Sequence, residues 1–212
     1  MWNTFVALGD SIVEGIGDIY LGYENKGWVD IVGRELIKSN PGMKYFNFGV
    51  GGSTVKEVIN NQVKRALDKD PGLITLTIGG NDARDPGWTS SMFSQQYSGL
   101  IKSLMLPDVT LVTMTYPNTN ISREDLIKKF GNNERTKGWL LYFRRMKKIN
   151  QIIRKTSSEN DLFCMEFEDF GPARDQKNLS QDMVHPNSRG YWYAAQHIIE
   201  LFKTHFSLSD LT

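Results

Sequence analysis

The 212-residue sequence holds one cysteine and three histidines. One cysteine excludes an intrachain disulfide and a thiolate-based metal site. Cys164 sits in the apolar run Leu162-Phe163-Cys164-Met165, where it reads as a small buried hydrophobe within a strand. An excess of either charge is also missing. The 25 Lys plus Arg face 24 Asp plus Glu, so no global field recruits nucleic acid or an anionic membrane. The basic run Arg144-Arg145-Met146-Lys147-Lys148 has no aromatic stacking platform beside it and reads as a solvated helix face. No apolar stretch approaches the roughly 20 residues of a membrane span. The segment Trp2-Asn3-Thr4 that leads into Phe5 lacks the basic flank, long apolar core and cleavage site of a secretion signal. The expectation is a cytoplasmic protein without stable membrane insertion, whose partner is a small molecule. With no repeat, low-complexity segment or linker, residues 1–212 read as one domain.

Short apolar runs alternate with longer amphipathic stretches, the pattern of an α/β protein with a mostly parallel sheet. Strands are expected at Phe5–Leu8, Tyr45–Phe48, Leu73–Ile78, Thr110–Thr113 and Leu162–Glu166. Apolar residues at helical spacing mark helices over Trp28–Leu36, Val55–Ala66 and Leu140–Ile153, with a last helix from near Ser188. His197 and His205 fall on that last helix and read as surface residues. Two connections, Arg84–Met92 and Tyr116–Gly138, read as long loops after the third and fourth strands. That is the end of an open α/β sheet where ligands bind.

Four segments carry chemistry. Gly9-Asp10-Ser11 follows the first strand, and a serine there projects its hydroxyl above the sheet edge with its own N–H in the unpaired first turn of a helix. Alone, it is equally a turn and an N-cap. Asn47-Phe48-Gly49-Val50-Gly51-Gly52-Ser53-Thr54 follows the second strand, and its glycines allow close backbone approach to a ligand or merely a turn before a capped helix. Its spacing is neither a dinucleotide fingerprint nor a phosphate loop. Gly79-Gly80-Asn81-Asp82 ends the third strand, and Asn81 offers two amide donors suited to an oxyanion, or a plain turn. Asp182-Met183-Val184-His185-Pro186 precedes the last helix, and a three-residue spacing brings a carboxylate onto an imidazole within one turn. Each segment has an ordinary structural explanation. Their conjunction supplies nucleophile, base, orienting acid and anion-binding donors together.

In this order the four segments resemble the conserved blocks of the SGNH (GDSL-type) hydrolase family. The resemblance spans nearly the whole chain and implies a three-layer α/β/α, flavodoxin-like sandwich with a five-stranded parallel sheet. It implies a triad of Ser11, Asp182 and His185, and an oxyanion hole from Ser11, Gly52 and Asn81, with no metal and no cofactor. Two positions depart from the pattern: Ile12 stands where the family name implies leucine, and Ser53 where many relatives carry an acid. The expected activity is hydrolysis of carboxylic esters with short-to-medium acyl groups. Carbohydrate O-acetyl esters are the alternative substrate, for which Tyr20, Trp88 and Trp139 in expected loops offer sugar-stacking faces. A non-catalytic binding module on the same fold is a third reading, and the intact residue set argues against it.

Overall fold

The computed structural model describes residues 2–119 and 121–208. Five strands, β1 (Thr4–Gly9), β2 (Lys44–Asn47), β3 (Leu73–Thr77), β4 (Thr110–Met114) and β5 (Phe163–Met165), form an all-parallel sheet in the order β2-β1-β3-β4-β5. Register runs Phe5 beside Tyr45 on one side and Phe5 beside Leu73 on the other. The chain leaves β1 toward β2 and returns to place β3 on β1's other flank. The crevice between the ends of β1 and β3 is thus the topological switch point, where such sheets bind ligands.

Among the described residues, eight α-helices cover the sheet: α1 (Ser11–Glu14), α2 (Trp28–Ser39), α3 (Val55–Asn61), α4 (Val63–Leu67), α5 (Ser90–Leu104), α6 (Arg123–Phe130), α7 (Glu134–Glu159) and α8 (Ser188–Phe206). The period-2 alternation of the strands sorts their side chains to two cores. Phe5, Ala7, Val112 and Met114 face one core with Trp28 and Val32 of α2 and Tyr191, Ile198 and Phe202 of α8. Val6, Leu8, Ile74 and Leu76 face the other, with Val58 of α3, Leu100 of α5 and Ile149 of α7. Burying side chains of this size stabilises by about 1.5–3 kcal/mol each, and both layers clamp the sheet so that its C-terminal edge is a rigid platform. Among the described residues, no helix is long and apolar enough to cross a membrane.

All five expected strands are present, within one or two residues of the expected ends. Three helical expectations need correction. The single helix over Val55–Ala66 is two, α3 and α4, broken at Gln62 (φ −112°, ψ −40°), whose side chain turns into the site described below. The connection Tyr116–Gly138 is largely helical. It holds α6, started by a Ser122–Asp125 capping box, and the first turn of α7, which starts at Glu134 behind an Asn133 cap. Trp139 therefore lies on a helix and not in a loop. The segment Arg84–Met92 ends in the first turn of α5, whose stripe of Phe93, Tyr97, Leu100, Ile101 and Leu104 packs inward. His205 is exposed, as expected. His197 is half-buried between Phe167 and Phe170, with ring centroids 5.2 and 5.1 Å away, and burial holds its pKa below the ordinary value. Cys164 is only half-buried, since β5 is an edge strand.

Candidate active site

Gly9 ends β1 at φ +152°, and a Cβ there would sit 2.0 Å from the Thr77 carbonyl oxygen of β3, so only glycine fits. Asp10 then caps α1, its Oδ1 accepting from the Ile12 N–H at 3.0 Å. This places Ser11 on the first turn of a helix over the switch point, largely buried at 9% exposure. The Ser11 Oγ lies 2.8 Å from His185 Nε2, and His185 Nδ1 lies 2.5 Å from Asp182 Oδ2.

The separation of 174 positions between Ser11 and His185 is closed by local hydrogen bonds. Asp182 Oδ1 accepts from the backbone N–H groups of Val184 (2.8 Å) and His185 (3.0 Å), while Met183 takes a left-handed conformation (φ +64°) that turns the chain. Asn187 caps α8 by accepting from the Gly190 N–H. Asp18 ties the loop after α1 to this turn: its carboxylate accepts from the Gln181 N–H at 2.7 Å, and its N–H donates to Ser180 Oγ at 2.8 Å. Burial acts to raise the Asp182 pKa, but the hydrogen bonds from the His185 ring and the two backbone N–H groups outweigh it and hold the carboxyl below its usual value. Asp182 is therefore ionised at neutral pH, and a carboxylate accepting from Nδ1–H leaves Nε2 bare toward Ser11.

Gly52 and Asn81 follow β2 and β3 and are tied to one another through Ser53. Gly52 stands at φ +82° in the turn after β2, a conformation that favours glycine. Its N–H and that of Ser11 have no acceptor among the described residues. Asn81 spends one amide proton on the Ser53 carbonyl oxygen at 3.0 Å, which ties it to the Gly52 turn and leaves the other proton available. Asp82 reinforces this tie, both carboxylate oxygens accepting from the Val55 N–H at 3.2 Å at the start of α3.

Two further contributors escape sequence reasoning. Gln62, 1% exposed, brackets Gly9 with its amide and donates toward Ser53 Oγ at 3.4 Å, linking the first and second segments. Tyr116 donates its hydroxyl to Asp10 Oδ2 at 3.0 Å and accepts from the Gly80 N–H at 3.3 Å, linking the first and third. Asp10 itself is 2% exposed, and burial, opposed by these hydrogen bonds, pushes its pKa up to about 6. Asp82 is likewise pushed to about 6 by burial, against the Val55 N–H. Gln62 and Tyr116 carry no local signal, because their partners lie 53 and 106 residues away.

Residues 7–193 match the model of the GDSL-like lipase/acylhydrolase family. Solved structures with the same fold include a psychrotrophic esterase from a Pseudoalteromonas species, inhibited by monoethylphosphonate (16% identity, TM-score 0.70, covering 97% of this chain and 99% of that one). A lipase/acylhydrolase from Enterococcus faecalis is similar (20% identity, TM-score 0.70, 96% of each chain). So is a catalytic mutant of an acetylxylan esterase from Geobacillus stearothermophilus (16% identity, TM-score 0.69, 93% of each). A comparison of the sequence with curated proteins found no match.

Proposed function

The chain belongs to the GDSL-like lipase/acylhydrolase family, and from that premise we propose that it hydrolyses carboxylic esters through Ser11, His185 and Asp182. The observation that carries this reading is the relay of 2.8 and 2.5 Å from Ser11 Oγ through the His185 ring to Asp182. His185 Nε2 takes the hydroxyl proton as Ser11 Oγ attacks the ester carbonyl carbon. The Asp182 carboxylate orients the ring and stabilises the imidazolium. The carbonyl oxygen, now an oxyanion, accepts from the N–H groups of Ser11 and Gly52 and from the Asn81 amide. Collapse expels the alcohol, which takes its proton from His185, and leaves an acyl-Ser11. A water, deprotonated by His185, repeats the attack, releases the acid and restores Ser11.

The acyl-ester reading is favoured over the carbohydrate reading by what surrounds the tryptophans. Arg145 lies over one face of Trp88 (5.3 Å) and Arg84 over Trp139 (5.2 Å), which also stacks on Phe143. Of the three aromatics expected to stack sugars, Trp139 has a ring and an arginine against it, and Trp88 and Tyr20 each carry an arginine over one face.

The test is turnover of p-nitrophenyl acetate by wild type, Ser11→Ala and His185→Ala, paired with intact-protein mass after exposure to a p-nitrophenyl alkylphosphonate. Wild-type turnover with a single phosphonyl adduct, both lost in Ser11→Ala, is the expected result. Turnover that persists in folded Ser11→Ala protein overturns it.

A further inference from the structure

Glu14 ends α1 three residues after Ser11, and helical positions three apart lie on one face. Its Oε2 accepts from the Gly51 N–H at 2.5 Å, and that N–H has no other acceptor among the described residues. Gly51 precedes Gly52, so this bond runs from the nucleophile's helix to the turn assigned an oxyanion donor. Packing does little to hold the middle of that turn. Gly51 and Gly52 are both exposed, and a Cβ on Gly52 would meet nothing within 4 Å. Consecutive glycines also have the most backbone freedom to lose on ordering. The flanks are tied down. Before the pair, the Val50 N–H donates to the Gly9 carbonyl oxygen at 3.2 Å, and Asn47 Nδ2 to the Val13 carbonyl oxygen at 2.8 Å. After it, the Ser53 N–H donates to the Val50 carbonyl oxygen at 3.2 Å, and the Ser53 carbonyl oxygen accepts from Asn81. Among these bonds, only that of Glu14 acts on the pair itself. The approach is close: a Cβ on Gly51 would stand 3.1 Å from Glu14 Oε2 and 3.8 Å from Ser11 Cβ. Carboxylate, turn and nucleophile thus border one small volume.

We infer that Glu14 is a positioning residue for ester hydrolysis: its carboxylate holds the Gly51–Gly52 turn against α1 and so fixes the Gly52 N–H relative to Ser11. The inference rests on the esterase reading above and adds a residue to it. An oxyanion donor is effective because it stands in place before the charge develops. A donor on an untied two-glycine turn spends part of its interaction on ordering the backbone that carries it. Glu14 orders that backbone in the free enzyme. It also joins the two main-chain donors into one unit, since the Ser11 N–H belongs to α1 and the Gly52 turn is bonded to α1. Glu14 touches no reacting atom in this scheme and acts through Gly51.

The experiment compares Glu14→Ala and Glu14→Gln with wild type on p-nitrophenyl acetate, with thermal unfolding measured on the same samples. Alanine removes the bond, whereas glutamine keeps the reach and an acceptor oxygen without the charge. Removing an oxyanion donor outright costs about 10²–10³-fold in kcat, so loosening one in Glu14→Ala should cost about tenfold, with KM nearly unchanged. Glu14→Gln should recover most of that loss, and both variants should unfold near the wild-type temperature, because the bond is exposed. Wild-type kcat in Glu14→Ala overturns the inference. So does a Glu14→Gln as slow as Glu14→Ala, which would assign the effect to charge. Amide hydrogen exchange at Gly51, read by NMR, tests the bond without turnover. Protection in wild type and Glu14→Gln that is lost in Glu14→Ala supports the tie even if no ester is hydrolysed, the result that sinks the esterase reading. An unprotected Gly51 in wild type overturns the tie and leaves the esterase reading standing.

Discussion

The side-chain amide of Gln62 embraces the backbone of Gly9: its Oε1 accepts from the Gly9 N–H at 3.0 Å and its Nε2 donates to the Gly9 carbonyl oxygen at 2.8 Å. Gly9 is two residues before Ser11, so a side chain on the break between α3 and α4 sets where the nucleophile's turn begins. The carbonyl has a second donor in the Val50 N–H, whereas the Gly9 N–H donates to the Gln62 amide oxygen. Replacing Gln62 with Met keeps the volume and strands that buried N–H. The expected loss is about 1–3 kcal/mol of stability, together with a fall in kcat as Ser11 loses its fixed position. Chemical denaturation and ester turnover check it, and an unchanged kcat in Gln62→Met would show that Gly9 holds its place unaided.

Asn81 is assigned a donor to the oxyanion as well as a tie to Ser53. Asn81→Ala should lower kcat by about 10²–10³-fold, with a much smaller change in KM. Steady-state kinetics on p-nitrophenyl acetate decide this, and a variant as fast as wild type removes Asn81 from the oxyanion hole.

Asp182→Asn tests the third triad position separately. An amide at that site donates to His185 Nδ1 as readily as it accepts, which stabilises the tautomer with Nε2 protonated and blocked as a base. A fall in kcat of about 10⁴-fold is expected, with ester binding to the variant retained. A loss of only a few fold would assign Asp182 to holding the Met183 turn alone.

Asp10 makes stability depend on pH. Its folded pKa, about 6, lies above the unfolded value of 3.8 because burial penalises the charge. The folded state therefore binds this proton more tightly. The stabilisation is complete below pH about 4 and is lost as pH rises toward about 6, by about 3 kcal/mol for this one group. Asp10→Asn keeps an acceptor for the Ile12 N–H and cannot ionise. Relative to wild type it should gain about 3 kcal/mol between pH 4 and pH 7, measured by urea denaturation at both. A stability difference that does not change with pH would mean that Asp10 titrates as an exposed carboxyl.

Tyr116→Phe removes the hydroxyl that donates to the Asp10 carboxylate and accepts from Gly80. The hydrogen bond favours the charged form of Asp10, so the loss should be larger at pH 8 than at pH 4.5, on the order of 1–3 kcal/mol at the higher pH. Equal losses at the two pH values would place the whole effect on the Gly80 N–H.

The sequence by itself determined the sheet and the chemistry at its edge. Strands such as Leu73–Thr77 are fully buried, so their apolar runs are legible without knowing their neighbours. Ser11, Asn81 and the Asp182–His185 pair are held by turns and caps only a few residues long, so each leaves a local pattern. Tertiary structure decided what joins them. Gln62 reads as one more polar residue on a helix until Gly9 is folded against it, and Tyr116 as the start of a loop until Asp10 and Gly80 close on its hydroxyl. Helix α6 follows the same rule: it buries only Leu126, so its capping box at Ser122 and Asp125 was the sole local sign of it. Local hydrogen bonds and period-2 burial are written in neighbouring residues, whereas contacts across 50 to 170 residues exist only once the sheet has brought its edge together.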